Sequence, residues 1–372
     1  MWDIRYICQS DLIKQIIDNI ETMENFIFQN PTKLIFGKGM IGQLAKEIPA
    51  GKRILVTFGG GSVRKNGVYD QVKEALKGFE VTEFWGIEAN PKIETLRKAI
   101  ELGKEKKVDY LLAVGGGSVI DGTVLTLPAT GSEMNSGAVI SRKETAEKYP
   151  FYSNYPVFSI LDPTVTYTLP PYQVACGIAD TFVHVMEQYM TTPGQSRLMD
   201  RWAEGIVHTL IEIAPEVLRK QDNYELMSEF MLCATMGLNG FVAMGVRQDW
   251  ATHMIGHELT ALHGLTHGAT LAIVLPGLWR TLKQKKMAKL VQYGERIWHI
   301  DQGTDEERAD KAIQKTEEFF KSLGLPTRLG DAGIGEETIL EIQKRFTQRQ
   351  VAFGEDQDVT AEIAGQILEN CK

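Results

Sequence analysis

Cysteine is scarce in this chain. It occurs at Cys8, Cys176, Cys233 and Cys371 among 372 residues, and no two of these fall in a CxxC spacing. That excludes a disulfide framework and suits a reducing cytoplasm. Positive charge is in deficit, with 40 Lys and Arg against 48 Asp and Glu for a net charge of −8. Neither nucleic acid nor an anionic membrane is therefore favoured as a partner. No apolar run approaches the roughly 20 residues of a membrane-spanning helix. The opening MWDIRYICQS lacks the basic region and apolar core of a signal peptide. No repeat or low-complexity segment appears, and the GxGxxG fingerprint of dinucleotide-binding sheets is missing, so any such sheet must be inferred from strand order. What remains is ordinary for a globular protein, 43% hydrophobic and 24% charged, and long enough for two domains with separate cores.

Histidine is also uncommon, seven in all, yet His253, His257, His263 and His267 crowd into WATHMIGHELTALHGLTHGATLAIVLP, residues 250–276. His253 and His257 are one helical turn apart and share a face. Met254, Ile255, Leu259, Leu262 and Leu265 frame them, so the stretch reads as a helix buried on most sides. A single histidine there would be an ordinary satisfied core residue; so dense a group needs another account. The segment GIADTFVHVMEQY, 177–189, adds Asp180 and His184, again one turn apart. Three imidazoles and one carboxylate form a set that zinc or ferrous iron accepts. A zinc-protease helix requires His-Glu-x-x-His; His257-Glu258 begins it, but position 261 is Ala261, and that reading fails.

Elsewhere the pattern alternates. Strands are predicted at Lys33–Phe36, Arg53–Phe58, Val81–Trp85, Asp109–Val114 and Val157–Leu161, with helices over 41–48, 66–78 and 90–105 between them. Two of these strands end in Gly-Gly-Gly-Ser, at Gly59–Ser62 and Gly115–Ser118, turns whose backbone N–H groups can approach phosphate closely. Strand, glycine loop and helix in repetition predict a parallel sheet with ligands at the carboxyl ends of its strands. After Asp162-Pro163 the chain turns helical, with periodicity over 203–218, 227–239, 250–263, 283–298, 305–323 and 336–346. Residues 1–22 precede all this; Leu12, Ile13, Ile16, Ile17 and Ile20 behind Ser10-Asp11 suggest an amphipathic helix of unassigned role. One join is out of pattern. Only GGGSVIDGT separates the strand DYLLAV from the strand VLTLPAT, whereas a parallel crossover needs a dozen or more residues. A break with missing residues is therefore expected between Thr123 and Val124.

The stretches FGKG (37–40), GGGSVIDGT (115–123), TLPATGSE (126–133), GIADTFVHVMEQY (177–189) and HMIGHELTALHGLTHG (253–268) resemble the iron-containing (group III) alcohol dehydrogenases. The likeness is to their NADPH-dependent aldehyde reductase and butanol dehydrogenase branch, and it runs from about Met23 to the C-terminus. It implies a dehydroquinate synthase-like fold: an α/β nucleotide-binding domain with a parallel sheet over 23–162, then an all-α metal-binding domain over 163–372. By resemblance Asp180, His184, His253 and His267 hold one divalent metal, Zn²⁺ or Fe²⁺. His257 matches an extra histidine beside substrate and nicotinamide, and His263 lines the pocket at most. The second glycine loop, with Gly116, Gly117, Ser118 and Asp121, would take the NADP(H) pyrophosphate. Thr126 and Thr130 would hydrogen-bond the cofactor, and Lys148 would reach its ribose.

NAD-dependent relatives carry an Asp after the strand that here ends Val56-Thr57-Phe58-Gly59. Without that carboxylate, Gly59, Gly60 and Ser62, with Arg64 and Lys65 nearby, would accept a 2′-phosphate. The expected function is metal-dependent, NADPH-dependent reduction of aldehydes to primary alcohols, reversible in principle, with His257 as proton relay, in a cytoplasmic homodimer. The alternatives are an NAD-dependent alcohol or polyol dehydrogenase and, more distantly, a dehydroquinate synthase-like lyase. The lyase would need basic residues around the metal that 250–276 does not offer.

Overall fold

A computed structural model describes residues 23–88, 90–116 and 123–372. The amphipathic helix expected within 1–22 lies outside the described residues, as do Gly117, Ser118 and Asp121 of the second glycine loop. The first half of the chain builds β1 (Lys33–Phe36), α1 (Leu44–Glu47), β2 (Arg53–Phe58), α2 (Val68–Ala75), β3 (Glu80–Phe84), α3 (Ile93–Glu105), β4 (Tyr110–Gly115) and β5 (Thr123–Leu125). A hairpin of β6 (Gly137–Arg142) and β7 (Glu147–Tyr152) follows, then β8 (Phe158–Leu161). Six strands form one sheet in the order β1-β8-β5-β4-β2-β3, every neighbouring pair parallel. RILVTF makes a central strand because its residues are apolar on both faces, and Ile54 through Phe58 are buried. Its core partners include Leu112, Val114, Ile160, and Val68 and Val72 of α2.

The break expected between Thr123 and Val124 is not there. The two are consecutive residues of β5, paired with Ser159 and Ile160 of β8, and Val124 also sits beside Val114 of β4. β5 is only three residues long and meets just the last two residues of β4. The β6–β7 hairpin was not predicted. Pro150 lies within β7, opposite Val139, and a proline inside a strand pattern argues against a strand unless it is at an edge, where this one is.

The rest of the chain is helical: α4 (Pro171–Tyr189), α5 (Arg197–Arg219), α6 (Tyr224–Gly237), α7 (Ala251–His263), α8 (His267–Thr281), α9 (Lys283–Trp298), α10 (Asp305–Ser322), α11 (Glu337–Arg349) and α12 (Ala361–Glu369). Ends fall where capping chemistry puts them: Ser196 and Asn223 accept backbone N–H bonds at the starts of α5 and α6, and Thr304 with Glu307 forms a capping box on α10. No described helix is long and apolar enough to cross a membrane. α4 is the axis of this half, buried continuously from Val174 to Tyr189.

The histidine-rich stretch is two helices, not one. Gly264 takes a left-handed conformation at φ 70° and ends α7, and α8 begins at His267. That reversal returns His267 towards His253, which one continuous helix would have placed about 21 Å away. Two glycines let α4 meet its neighbours. A Cβ on Gly268 would lie 2.1 Å from the Cys176 carbonyl oxygen, and one on Gly177 would lie 2.4 Å from that of Pro128. Gly268→Ala must therefore push α8 off α4. It is expected to destabilise the metal-free protein by about 1–3 kcal/mol, read by denaturant unfolding, and to lower metal content because His267 moves with α8.

Candidate metal and nucleotide site

Asp180 and His184 leave α4 on one face, where α7 presents His253 and the first turn of α8 presents His267. The Asp180 Oδ1 atom lies 3.5 Å from His184 Nε2, 3.6 Å from His253 Nε2 and 3.8 Å from His267 Nε2. These separations exceed a hydrogen bond. Two ligands on one tetrahedral ion, with bonds near 2.1 Å, stand about 3.4 Å apart. Asp180, His253 and His267 form the tightest group, one ligand atom from each lying within 4.8 Å of the others. His184 touches the same carboxylate oxygen but stands outside that trio, its ring stacked on His253 at 4.5 Å between centroids.

The surroundings are what a cation needs. Asp180 Oδ1 and His253 Nε2 are buried and have no hydrogen-bond partner among the described residues. An unpaired buried polar atom costs about 1–3 kcal/mol, so the set fits a metal better than it fits itself. Burial alone would raise the Asp180 carboxyl, but His184, His253 and Lys148 outweigh it and hold it below its ordinary range. Burial pushes His184 down to about 4, with the His253 charge assisting and Asp180 opposing. Burial also opposes the charged form of His253, yet Glu187 and Asp180 raise it to about 9. His257 and His267 are pushed well down, by burial first and then by the Lys148 charge.

His257 packs against His267 at 5.0 Å and His253 at 6.3 Å, beside the cluster and outside the trio. His263 faces solvent, with Nε2 2.9 Å from Thr338 Oγ1 of α11, and takes no part. Sequence reasoning missed Glu187. Its carboxylate bonds His253 Nδ1 and accepts from the Thr252 backbone N–H at 2.6 Å, fixing the ring that turns Nε2 towards Asp180. The signal was present: Glu187 follows Asp180 by seven residues and His184 by three, on the same helical face.

The residues expected to bind nucleotide gather at the carboxyl ends of the strands. Gly59 and Gly60 follow β2, Gly116 follows β4, and Thr126 follows β5, its N–H donating to the Gly115 carbonyl at 2.8 Å. Gly61 has φ 98° and Ser62 opens a short 3₁₀ turn. Arg64 lies over the Trp85 ring at 3.8 Å, and Phe58 stacks on the same indole at 4.1 Å. The loop 126–130 packs on α4 next to Asp180, where the Thr181 hydroxyl donates to the Ala129 carbonyl at 3.3 Å. Thr130 Oγ1 is 3.1 Å from Ser132 Oγ. Lys148 of β7 is buried: burial lowers it to about 8, and its ammonium donates to Asn90 Oδ1 at 3.2 Å.

A parallel sheet with glycine turns at its carboxyl edge, joined to helices that carry a buried three-histidine, one-aspartate cluster, is the architecture of a metal- and nucleotide-binding enzyme. Sequence profiles agree: residues 31–123 match iron-containing alcohol dehydrogenase, and 174–371 match the C-terminal region of the Fe-containing alcohol dehydrogenase family. The chain belongs to the iron-containing alcohol dehydrogenase family. It is 49% identical to the NADPH-dependent aldehyde reductase YqhD of Escherichia coli over 384 residues, covering 93% of this chain and 99% of that one. It is 39% identical to a probable NADH-dependent butanol dehydrogenase of Bacillus subtilis, with the same coverage. The E. coli K-12 YqhD crystal structure superposes with a TM-score of 0.92 at 48% identity, covering 94% of this chain and all of that one. An aligned length of 384 exceeds the part of this 372-residue chain that takes part, so the E. coli protein carries residues with no counterpart here.

Proposed function

We propose that this protein reduces aldehydes to primary alcohols with NADPH, reversibly, using one divalent metal. The observation that carries the reading is the convergence of three imidazole nitrogens on one buried, otherwise unpaired carboxylate oxygen. Asp180, His184, His253 and His267 are the ligands in this reading, and Zn²⁺ or Fe²⁺ suits the donor set. A bound divalent ion supplies a Lewis acid for the carbonyl oxygen, and a bound nicotinamide supplies the hydride. Residues 23–162 serve as the nucleotide-binding part and 163–372 as the metal-binding part.

The protein's own groups do the positioning. Gly59, Gly60 and Ser62 receive the adenosine end, and Gly116, Gly117, Ser118 and Asp121 the pyrophosphate. Thr126 and Thr130 hold the nicotinamide end, and Lys148 spans from the nucleotide to the metal cluster, whose charge balance it already affects. His257 handles the proton. Its ring, kept neutral by burial and by Lys148, would in the reduction give a proton to the forming alcohol oxygen from one nitrogen while taking one from water at the other, and would run the same relay outward in alcohol oxidation. His257→Ala is expected to keep its metal while kcat falls about a hundredfold or more; elemental analysis beside a pH–rate profile checks both. An emptied site in that variant would make His257 a ligand and sink this assignment.

A cytoplasmic setting is supported by Cys176, Cys233 and Cys371, all free and buried. A homodimer is supported by the apolar surface of Phe26, Ile27 and Phe28 ahead of β1, where Ile27 is 99% exposed. The deciding experiment follows NADPH oxidation with short-chain aldehydes before and after chelation of the metal. No turnover with any aldehyde by metal-loaded protein would reject the reading.

A further inference from the structure

The β6–β7 hairpin is poorly embedded. Tyr149 and Tyr152 are 47% and 89% exposed, yet this same hairpin carries the buried Lys148 into the cleft. Two arginines of α11 grip its turn. Arg345 Nη2 donates to the Ala146 carbonyl at 2.6 Å, and Arg349 Nη2 lies 3.4 Å from Glu147 Oε1. Ala146 has φ 48°, a left-handed conformation that alanine rarely adopts and that its surroundings must hold. Both arginines also converge on Glu258 of α7, which is buried: Arg345 Nε is 2.6 Å from Oε2, and Arg349 Nη1 bonds Oε1. Glu258 is the residue after His257. Helix α11, the hairpin turn and the histidine helix are thus joined through one carboxylate.

We infer that Arg345 and Arg349, clamped on Glu258, are positioning residues that hold the hairpin down so that Lys148 reaches the nucleotide beside the metal cluster. Neither arginine touches the cluster. Their leverage comes from geometry: Ala146 and Glu147 immediately precede Lys148 in β7, and Lys148 is the hairpin's one buried residue. Beside the turn the hairpin is also tied by the Ser141 N–H to the Pro91 carbonyl, at 2.8 Å, by the Lys143 N–H to Glu94 Oε1, at 3.3 Å, and by the Lys148–Asn90 bond. Release of the turn removes the arginine hold immediately next to Lys148. The role in nucleotide binding rests on the function proposed above; the clamp itself does not.

The test combines two measurements on the metal-loaded full chain. In R345Q/R349Q, hydrogen exchange across 137–152 should rise about tenfold and the NADPH Kd, read by nucleotide fluorescence, should rise about tenfold, with metal content unchanged. In a K148M background the same pair of substitutions should move Kd less than about twofold, because the lysine they position is gone. E147Q, which of the clamp's contacts removes only the Arg349–Glu147 ion pair, should shift exchange and Kd in the same direction by less, so the test survives if the double variant folds poorly. Unchanged exchange over 137–152 would overturn the clamp. Full additivity with K148M would overturn its action through the lysine. Failure of the wild-type chain to bind NADPH would instead overturn the proposed function, and the exchange measurement would still decide the clamp.

Discussion

Replacement of His253 by alanine is expected to remove the bound metal and the activity together. His253 Nε2 stands 3.6 Å from Asp180 Oδ1 within the trio that also contains His267, and all three side chains are mostly or fully buried. Three remaining ligands bind a divalent ion weakly, and the Lewis acidity they would lose contributes several kcal/mol, so kcat should drop by about a thousandfold or more. Chelation of the wild type should give the same loss and addition of metal should reverse it; in the variant, added metal should not. Metal retained at one ion per chain by the alanine variant would remove His253 from the ligand set.

The second large effect concerns the cofactor's charge. β2 ends in Phe58 and Gly59 with no carboxylate, and Arg64 is laid across Trp85 with no carboxylate partner among the described residues. A guanidinium held flat in this way offers its edge to a phosphate. A charge-assisted hydrogen bond contributes about 1.5–3 kcal/mol, so Arg64→Ala should lower kcat/KM for NADPH about 10- to 100-fold and leave NADH nearly unchanged. Gly59→Asp should go further, replacing attraction by repulsion and favouring NADH. Both are measured as kcat/KM for the two nucleotides with one aldehyde. A wild-type preference for NADH would reject the idea.

Much of the architecture was legible because its signals are local. RILVTF reads as a strand buried on both faces, and it is; Val157–Leu161 reads as a strand, and Phe158–Leu161 form it. The period-3.6 segments at 283–298 and 305–323 read as helices almost to the residue, since the apolar stripe needs no partner to be seen. The hairpin was hidden by Pro150 and by a turn, KETA, with no Gly or Asn to announce it. The shortness of the link after β4 was legible, and relatives carry residues that this chain lacks; that Thr123 and Val124 nonetheless share one strand, paired over only two residues with β4, was not.

The amino-acid sequence by itself determined the donor chemistry: which residues can bind a cation, and that Asp180 and His184, or His253 and His257, lie one turn apart. It also determined the absence of a carboxylate after Val56-Thr57, since identity at a strand end needs no fold to be read. The tertiary structure decided which histidines share an ion. Gly264 turns the chain, Gly268 lets α8 close on α4, and only then does His267 come to 3.8 Å from Asp180 while His263 is left in solvent. It likewise decided that Lys148 is a buried group. A lysine's burial depends on what packs against it, and the residues on either side of Lys148 in β7 do not show that.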